Sequence, residues 1–252
     1  MIHTPPEKMA SPAIPPIEFL TSVESTNSYL LQRTDLHQPF KAVATQSQTA
    51  GRGRLGRSWG SASGLGLAVS IVLPVLAGVA TAGLHSLLVG SAVLSFVRGQ
   101  GVEQAHMKWP NDILVGGRKI SGILCEITPS GFVVAGIGIN LFHAENQLPI
   151  QESTSFAVEG VPVQDVHKFT HLLVENLVKA WASAENSDAK WSKFLSPSIG
   201  TLGKRVKVVE TEDHFWEGLA EGLNDDGHLL VRSFQDGVLR TLVAADVLHL
   251  RQ

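Results

Sequence analysis

"QTAGRGRLGRSW", Gln48 to Trp59, decides the fold, because its glycines have the spacing of a phosphate-binding turn. Gly51, Gly53 and Gly56 match G-x-G-x-x-G. In a dinucleotide-binding fold that motif follows a buried strand, opens a helix and precedes an acidic residue by about 20 positions. Here the entry, "ATQSQTA", is too polar, and the exit, "RSWGSASGLGLAVS", is a poor helix former. No Asp or Glu occurs between Ser58 and Gly101. A doubly wound parallel sheet is therefore not expected. RNA-binding Arg–Gly segments are long and repetitive, whereas this one is short and lies between two strands. The remaining reading is an ordered loop that closes over a phosphate-bearing ligand. Glycine amides approach the phosphate, Arg52, Arg54 and Arg57 neutralise it, and Trp59 offers an aromatic face.

Outward from the loop, strands and helices interleave. "IEFL" (17–20) reads as a strand, and Ser25, Thr26 and Asn27 offer caps for a short helix through "SYLLQR". "KAVATQ" (41–46) and "GLGLAVSIVLP" (64–74) read as strands on either side of the loop. Leu84, Leu87, Leu88, Ala92 and Val93 recur at near-helical spacing, and Gly101 suits the stop. "HMKW", "DILV", "KISGILCEI" and "GFVVAGIGIN" follow as strands, with Gly116-Gly117 as a tight hairpin. Residues 141–162 read as a polar loop or lid. Val166, Phe169, Leu173, Leu177 and Trp181 form the stripe of a long helix, and "AKWSKFL" a short one. Past Pro197 come four short strands, "KRVKVVE", "HFWEGLAEGL", "HLLVRS" and "GVLRTLV". The reading is α+β: a mixed or antiparallel sheet with helices on one face, plus a small C-terminal β-barrel.

The 252 residues carry 20 Lys and Arg against 23 Asp and Glu, a net −3 that excludes a general polyanion binder. Cys125 is the single cysteine, which excludes an intramolecular disulfide and a cysteine metal knot. The start, "MIHTPPEKMASPAIPP", has prolines where a signal peptide needs an apolar run. The longest apolar candidate for a membrane span, Leu65 to Val79, is interrupted by Ser70, Pro74 and Gly78. A cytoplasmic protein without a membrane is the expectation.

Four further motifs carry two readings each. "KWPNDILV" (108–115) contains a good turn by itself, yet unites a cation, an aromatic and two polar side chains. In "RKISGIL" (118–124), Lys119 is either a solvated hairpin lysine or a cation beside Gly122, where a ligand lies flat on bare backbone. The glycines of "GIGIN" (136–140) share one face, for close helix packing or for something bulky. "ESTN" (24–27) is a helix cap or part of a site.

Taken together and in order, "STN", "QTAGRGRLGRSW", "KWPND", "RKISGILCE" and "GIGIN" closely resemble the biotin–protein ligases, from Ile17 to the C-terminus. "STSFAVEG" (153–160) also resembles that family. The resemblance implies a class II synthetase-like catalytic domain over 17–198, an SH3-like barrel over 199–252 and a Pro-rich arm over 1–16. It implies that biotin and MgATP form biotinyl-5′-AMP, which passes biotin to a lysine of a biotin carboxyl carrier domain, as on acetyl-CoA carboxylase. Biotin is then met by Ser25, Thr26, Asn27, Gln48, Gly51, Arg52, Gly53, Arg54, Lys119 and Gly122. The adenylate is met by Arg54, Arg57, Trp59, Lys108, Asn111 and Asn140. Lys119 and Arg52 offset the repulsion between carboxylate and α-phosphate. Asp112 helps deprotonate the acceptor lysine or holds Mg²⁺ through water. The glycine-rich loop is implied to be disordered when empty and ordered when filled.

Departures from the family are small: Thr45 and Gln46 stand where an acidic residue is frequent, Ala62 lies where Pro often follows, and Cys125 replaces an aliphatic residue. Longer members carry a helix-turn-helix first; sixteen Pro-rich residues are too few for one, so DNA binding is not expected. A homodimer is left open. The rival readings are a lipoate or octanoate ligase or transferase of related fold, and a non-catalytic biotin- or nucleic-acid-binding protein. The arginine loop and the C-terminal strands argue against the first, and the net charge and Lys119 with "KWPND" against the second.

Overall fold

The computed structural model describes residues 14–60, 62–79, 81–185, 190–210, 214–243 and 245–250. The arm expected over 1–16 falls almost wholly outside them. The chain runs β1 (Glu18–Phe19), α1 (Thr26–Gln32), β2 (Ala42–Thr45), β3 (Gly66–Pro74), α2 (Ala82–Gly99), β4 (His106–Lys108), β5 (Asp112–Val115), β6 (Arg118–Ile127), β7 (Phe132–Asn140), α3 (Val166–Glu185) and α4 (Trp191–Leu195). Then come β8 (Arg205–Val209), β9 (Phe215–Leu223), β10 (Leu229–Ser233), β11 (Leu239–Leu242) and β12 (Asp246–His249).

The first seven strands form one sheet in the order β1-β2-β3-β7-β6-β5-β4. Only β1 and β2 run parallel; the other pairs are antiparallel. The sheet is mixed, as expected, and no Rossmann crossover enters the arginine loop. Gly116 and Gly117 make the β5–β6 turn with φ of 56° and 85°. Both angles lie in the left-handed region that a two-residue hairpin turn needs and glycine adopts at least cost.

Side chains alternate across the sheet. On β3, Leu67, Val69, Ile71 and Leu73 point into the main core with α2 and α3. Val72 turns to the other face and packs with Leu30, Val43 and Val134 under α1. Helices therefore cover both faces, not one, although the long pair shares a face. α2 begins at Thr81, whose side chain accepts from Leu84 N at 3.2 Å. At 18 residues and a mean hydropathy of 1.3 it has the length and composition of a membrane span, more so than Leu65 to Val79. With 67% of it buried inside the protein it is a core helix. α3 buries Phe169, Leu173, Leu177 and Trp181, the stripe read from the sequence.

The C-terminal strands form an all-antiparallel sheet in the order β11-β10-β9-β8-β12, in keeping with an SH3-like unit. β12 was not among the four expected strands. It pairs with β8 rather than with its neighbour in sequence. The segment 141–162 also differs from a polar lid. Ser153, Thr154, Ser155 and Phe156 are buried. Lys119 N donates to Glu152 O at 2.7 Å and Thr154 N to Lys119 O at 2.9 Å, so this stretch is stitched to the start of β6.

Candidate active site

The sheet face opposite α2 and α3 carries a cleft beside α1. Three strands present small residues there in register: Ala68 and Ser70 on β3 oppose Gly138 and Gly136 on β7, and Gly122 on β6 opposes Gly138. Without Cβ atoms the backbone floor lies open, and the protein's own Trp59 partly fills it. A Cβ at Gly138 would stand 2.2 Å from Trp59 Cε2, and one at Gly122 2.8 Å from Trp59 Cζ3. The bare backbone at Gly122, read as a seat for a ligand, is thus covered by an indole and by the end of Lys119. Gly136 makes room for Asn27, whose Oδ1 would lie 2.2 Å from a Cβ there.

At the start of α1, Ser25 caps the helix. Gln48 Oε1 accepts from Thr26 N at 2.8 Å and Thr26 Oγ1 at 3.2 Å. Ser70 Oγ, fully buried, lies 2.7 Å from Thr26 Oγ1 and 2.6 Å from Asn27 Oδ1. These polar groups are thus oriented within a largely buried pocket wall.

The arginine loop is a closed hoop. Trp59 N donates to Gly51 O at 2.8 Å, Gly53 N to Arg57 O at 2.7 Å and Arg57 N to Arg54 O at 3.1 Å. At its tip Leu55 has φ 55° and is 72% exposed, a left-handed conformation that is costly for leucine. Arg52 donates to Glu126 Oε1 at 2.7 Å, and Arg54 to Asn111 Oδ1 at 3.2 Å.

Lys119 Nζ lies 2.6 Å from Asp112 Oδ1 and 5.2 Å from the centre of the Trp59 ring. The hairpin β5–β6 brings the pair together, since Asp112 opposes Gly122 across the ladder. In the "KWPND" turn the Trp109–Pro110 bond is cis. Asn111 Nδ2 donates to Ile123 O at 2.8 Å, which fastens the turn to β6. Trp109 borders the cleft and also anchors the turn: its Nε1 donates to Gly227 O and its N to Thr201 Oγ1, both at 3.0 Å, tying the turn to the C-terminal part. Asn140 Nδ2 donates to Thr154 O at 2.9 Å, while its buried Oδ1 has no partner among the described residues.

These groups line one cleft of about 590 Å³. Ser25, Thr26, Asn27, Gln48, Arg52, Gly53, Arg54, Arg57, Trp59, Lys108, Asn111, Asp112, Lys119, Gly122 and Asn140 all border it. Gly51 does not. A Cβ there would stand 2.3 Å from Trp59 O and 2.8 Å from Gln48 Nε2, so this glycine shapes the loop from behind. Sequence reading missed Ile150 and, from the C-terminal part, Val209, Val247 and Leu248, which also line the cleft. It also missed Ser70 and Glu126, which hold lining residues from across the sheet.

The sequence profile described as "Biotin/lipoate A/B protein ligase family" matches residues 19–141, and that of the "Biotin protein ligase C terminal domain" matches 201–250. A biotin–[acetyl-CoA-carboxylase] ligase of Mycobacterium tuberculosis is 31% identical over 243 residues, 93% of this chain and 89% of that protein. Biotin protein ligase from Aquifex aeolicus, solved with biotin and ATP, superposes with a TM-score of 0.75 at 24% identity, over 94% of this chain and 99% of that one. That from Leishmania major, solved with biotinyl-5-AMP, gives 0.60 at 27% identity, over 92% and 100%. The fold, the five ordered motifs and this relationship over nearly the whole chain agree: the chain belongs to the biotin protein ligase family.

Proposed function

We propose that this chain joins biotin to AMP at the expense of ATP and then transfers the biotinyl group to one lysine of a biotin carboxyl carrier domain. The observation that carries the reading is the meeting of Lys119, Arg52, Arg54 and Arg57 with the Thr26–Gln48 hydrogen-bonding pocket in one cleft. A cleft of 590 Å³ suits a small molecule enclosed on most sides. Bringing a carboxylate to an α-phosphate sets two anions together. Lys119, oriented by Asp112, and Arg52, oriented by Glu126, supply fixed positive charge where that repulsion peaks. With Gln48 Oε1 taken up by Thr26, Gln48 Nε2 is left to donate and Thr26 Oγ1 to accept at a ureido ring, and the orphan Oδ1 of Asn140 accepts from the nucleotide side. The hoop, with Arg54 against Asn111, shields the mixed anhydride from water.

Mg²⁺ would enter with ATP. Asp112 is the single carboxylate bordering the cleft among the described residues, which fits an ion held chiefly by phosphates and water. Its chemistry would be to neutralise phosphate charge. Asp112, already 2.6 Å from Lys119, serves foremost to orient that ammonium. The cytoplasm is the compartment that this reaction and the lone buried Cys125 suit.

The test is to mix the chain with biotin, MgATP and a carrier domain, and to follow the intact mass of the carrier. A gain of one biotinyl group is expected. Gain with lipoate and none with biotin would replace the reading by its nearest rival.

A further inference from the structure

Glu126 stands near the end of β6, outside the cleft lining. It shares its face of the strand with Gly122 and Leu124, as alternation requires. Its two oxygens serve two elements. Oε1 accepts from Arg52 Nη2 at 2.7 Å, and Oε2 accepts from Asn27 Nδ2 at 2.9 Å. Arg52 Nη1 donates in addition to Ser28 Oγ at 3.3 Å. Asn27 Nδ2 also donates to Leu124 O at 3.1 Å, while its Oδ1 accepts from Ser70 at 2.6 Å. Both amide protons of Asn27 are therefore committed to the protein, and its orientation is fixed by the carboxylate and the carbonyl.

The Arg52 and Glu126 side chains remain 45% and 24% exposed, and ion pairs open to water add little to stability. Direction is what the pair supplies. A free arginine samples many rotamers, and a carboxylate that takes one branch of its fork leaves a single pose. A negative charge this close to an anionic ligand opposes binding unless a cation covers it, and Arg52 does so.

We propose that Glu126 is a positioning residue for the proposed ligase reaction. It sets the Arg52 guanidinium at the cleft wall where carboxylate and α-phosphate meet, and through Asn27 it locks that setting to the start of α1. The inference rests on the ligase reading.

A double-mutant cycle in the full chain tests it, with Glu126→Gln, Arg52→Ala and the pair, read by biotin-dependent exchange of pyrophosphate into ATP. Glutamine keeps an acceptor for Asn27 and removes the charge that holds Arg52. The expected result is a loss of about tenfold in the maximal exchange rate, with the KM for biotin within about twofold of the unmutated value. On the Arg52→Ala background, Glu126→Gln should cost nothing further. Additive losses in the double variant overturn the proposal. So does a single variant with full exchange, or one that no longer unfolds cooperatively, because the carboxylate would then serve the fold. An unmutated chain without any biotin-dependent exchange removes the ligase reading itself. Normal exchange with additive variants removes only the role of Glu126.

Discussion

Gly136 shows how little space the site leaves. A methyl group there would stand 2.2 Å from Asn27 Oδ1. Gly136→Ala should push Asn27 away from Ser70, Leu124 and Glu126, at a cost of about 1–3 kcal/mol. Thermal unfolding should record the lower stability, and calorimetry a weakened affinity for biotin; unchanged affinity would show that Asn27 has no part in that pocket. Lys119 is a different case, a cation paired at the cleft. Its side chain and that of Asp112 are only 25% and 21% exposed, so removing the lysine leaves the Asp112 carboxylate without its cation and lowers stability as well as activity. Lys119→Ala should lower adenylate formation about 10²–10³-fold, the scale of losing one group that stabilises developing charge. Near-normal pyrophosphate release would refute its role. Lys119, Arg52 and Asn140 stood out in the sequence as cations and an amide beside glycine, and the family resemblance gave them their places in the site. Ser70 and Glu126 did not stand out. Each meets Asn27 from a distant strand, 43 and 99 positions away, and only the register of the sheet brings them there.

At the scale of elements, the hoop and the "KWPND" turn act as a pair. Arg54 joins them at 3.2 Å through Asn111. Arg54→Ala should leave the acyl–adenylate bond-forming step largely intact but release the intermediate, so that bystander lysines become biotinylated. Mass spectrometry of an unrelated protein in the same tube measures that leak, and a leak equal to that of the unmutated chain would count against shielding. Long elements were the easiest to read. α2 and α3 announce themselves by helical spacing, and β3 by its apolar run. β12 escaped because it has four residues and its partner, β8, lies far back in the chain. The segment 141–162 was read as a lid from its polar composition. Ser153, Thr154 and Ser155 are buried nonetheless, because main-chain contacts with Lys119 and Asn140 satisfy that stretch.

Across the whole molecule, buried and half-buried histidines contribute to the response to acid. Burial, followed by the charges of Lys204, Lys108 and His106, lowers the His249 ring from 6.5 to about 4. Burial likewise lowers His85, His106 and His143. The folded chain keeps these rings neutral while the unfolded chain protonates them, so the unfolded state binds more protons below 6.5. The stability they contribute is therefore complete above pH 6.5 and lost as the pH falls towards 4. Urea midpoints measured across that window should drop with acid, and His249→Gln should flatten the slope; an unaltered slope would assign the acid sensitivity elsewhere. Removal of residues 200–252 belongs to the same scale. It should impair carrier biotinylation more than biotin binding, because the glycine floor lies in the larger sheet and Thr26 and Gln48 lie beside it. A truncated chain with full activity would show the smaller sheet to be dispensable.

Trp109 gives that last expectation its mechanical sense. Lys108 and Asn111 flank the peg by which the wall hangs, and the peg is driven into two turns, at Thr201 and Gly227, of a separate sheet. Neither half can drift without tugging the other. Cutting the chain back past Gly227 therefore removes an anchor of the wall that carries Lys108 and Asn111, although the cut lies in the other sheet.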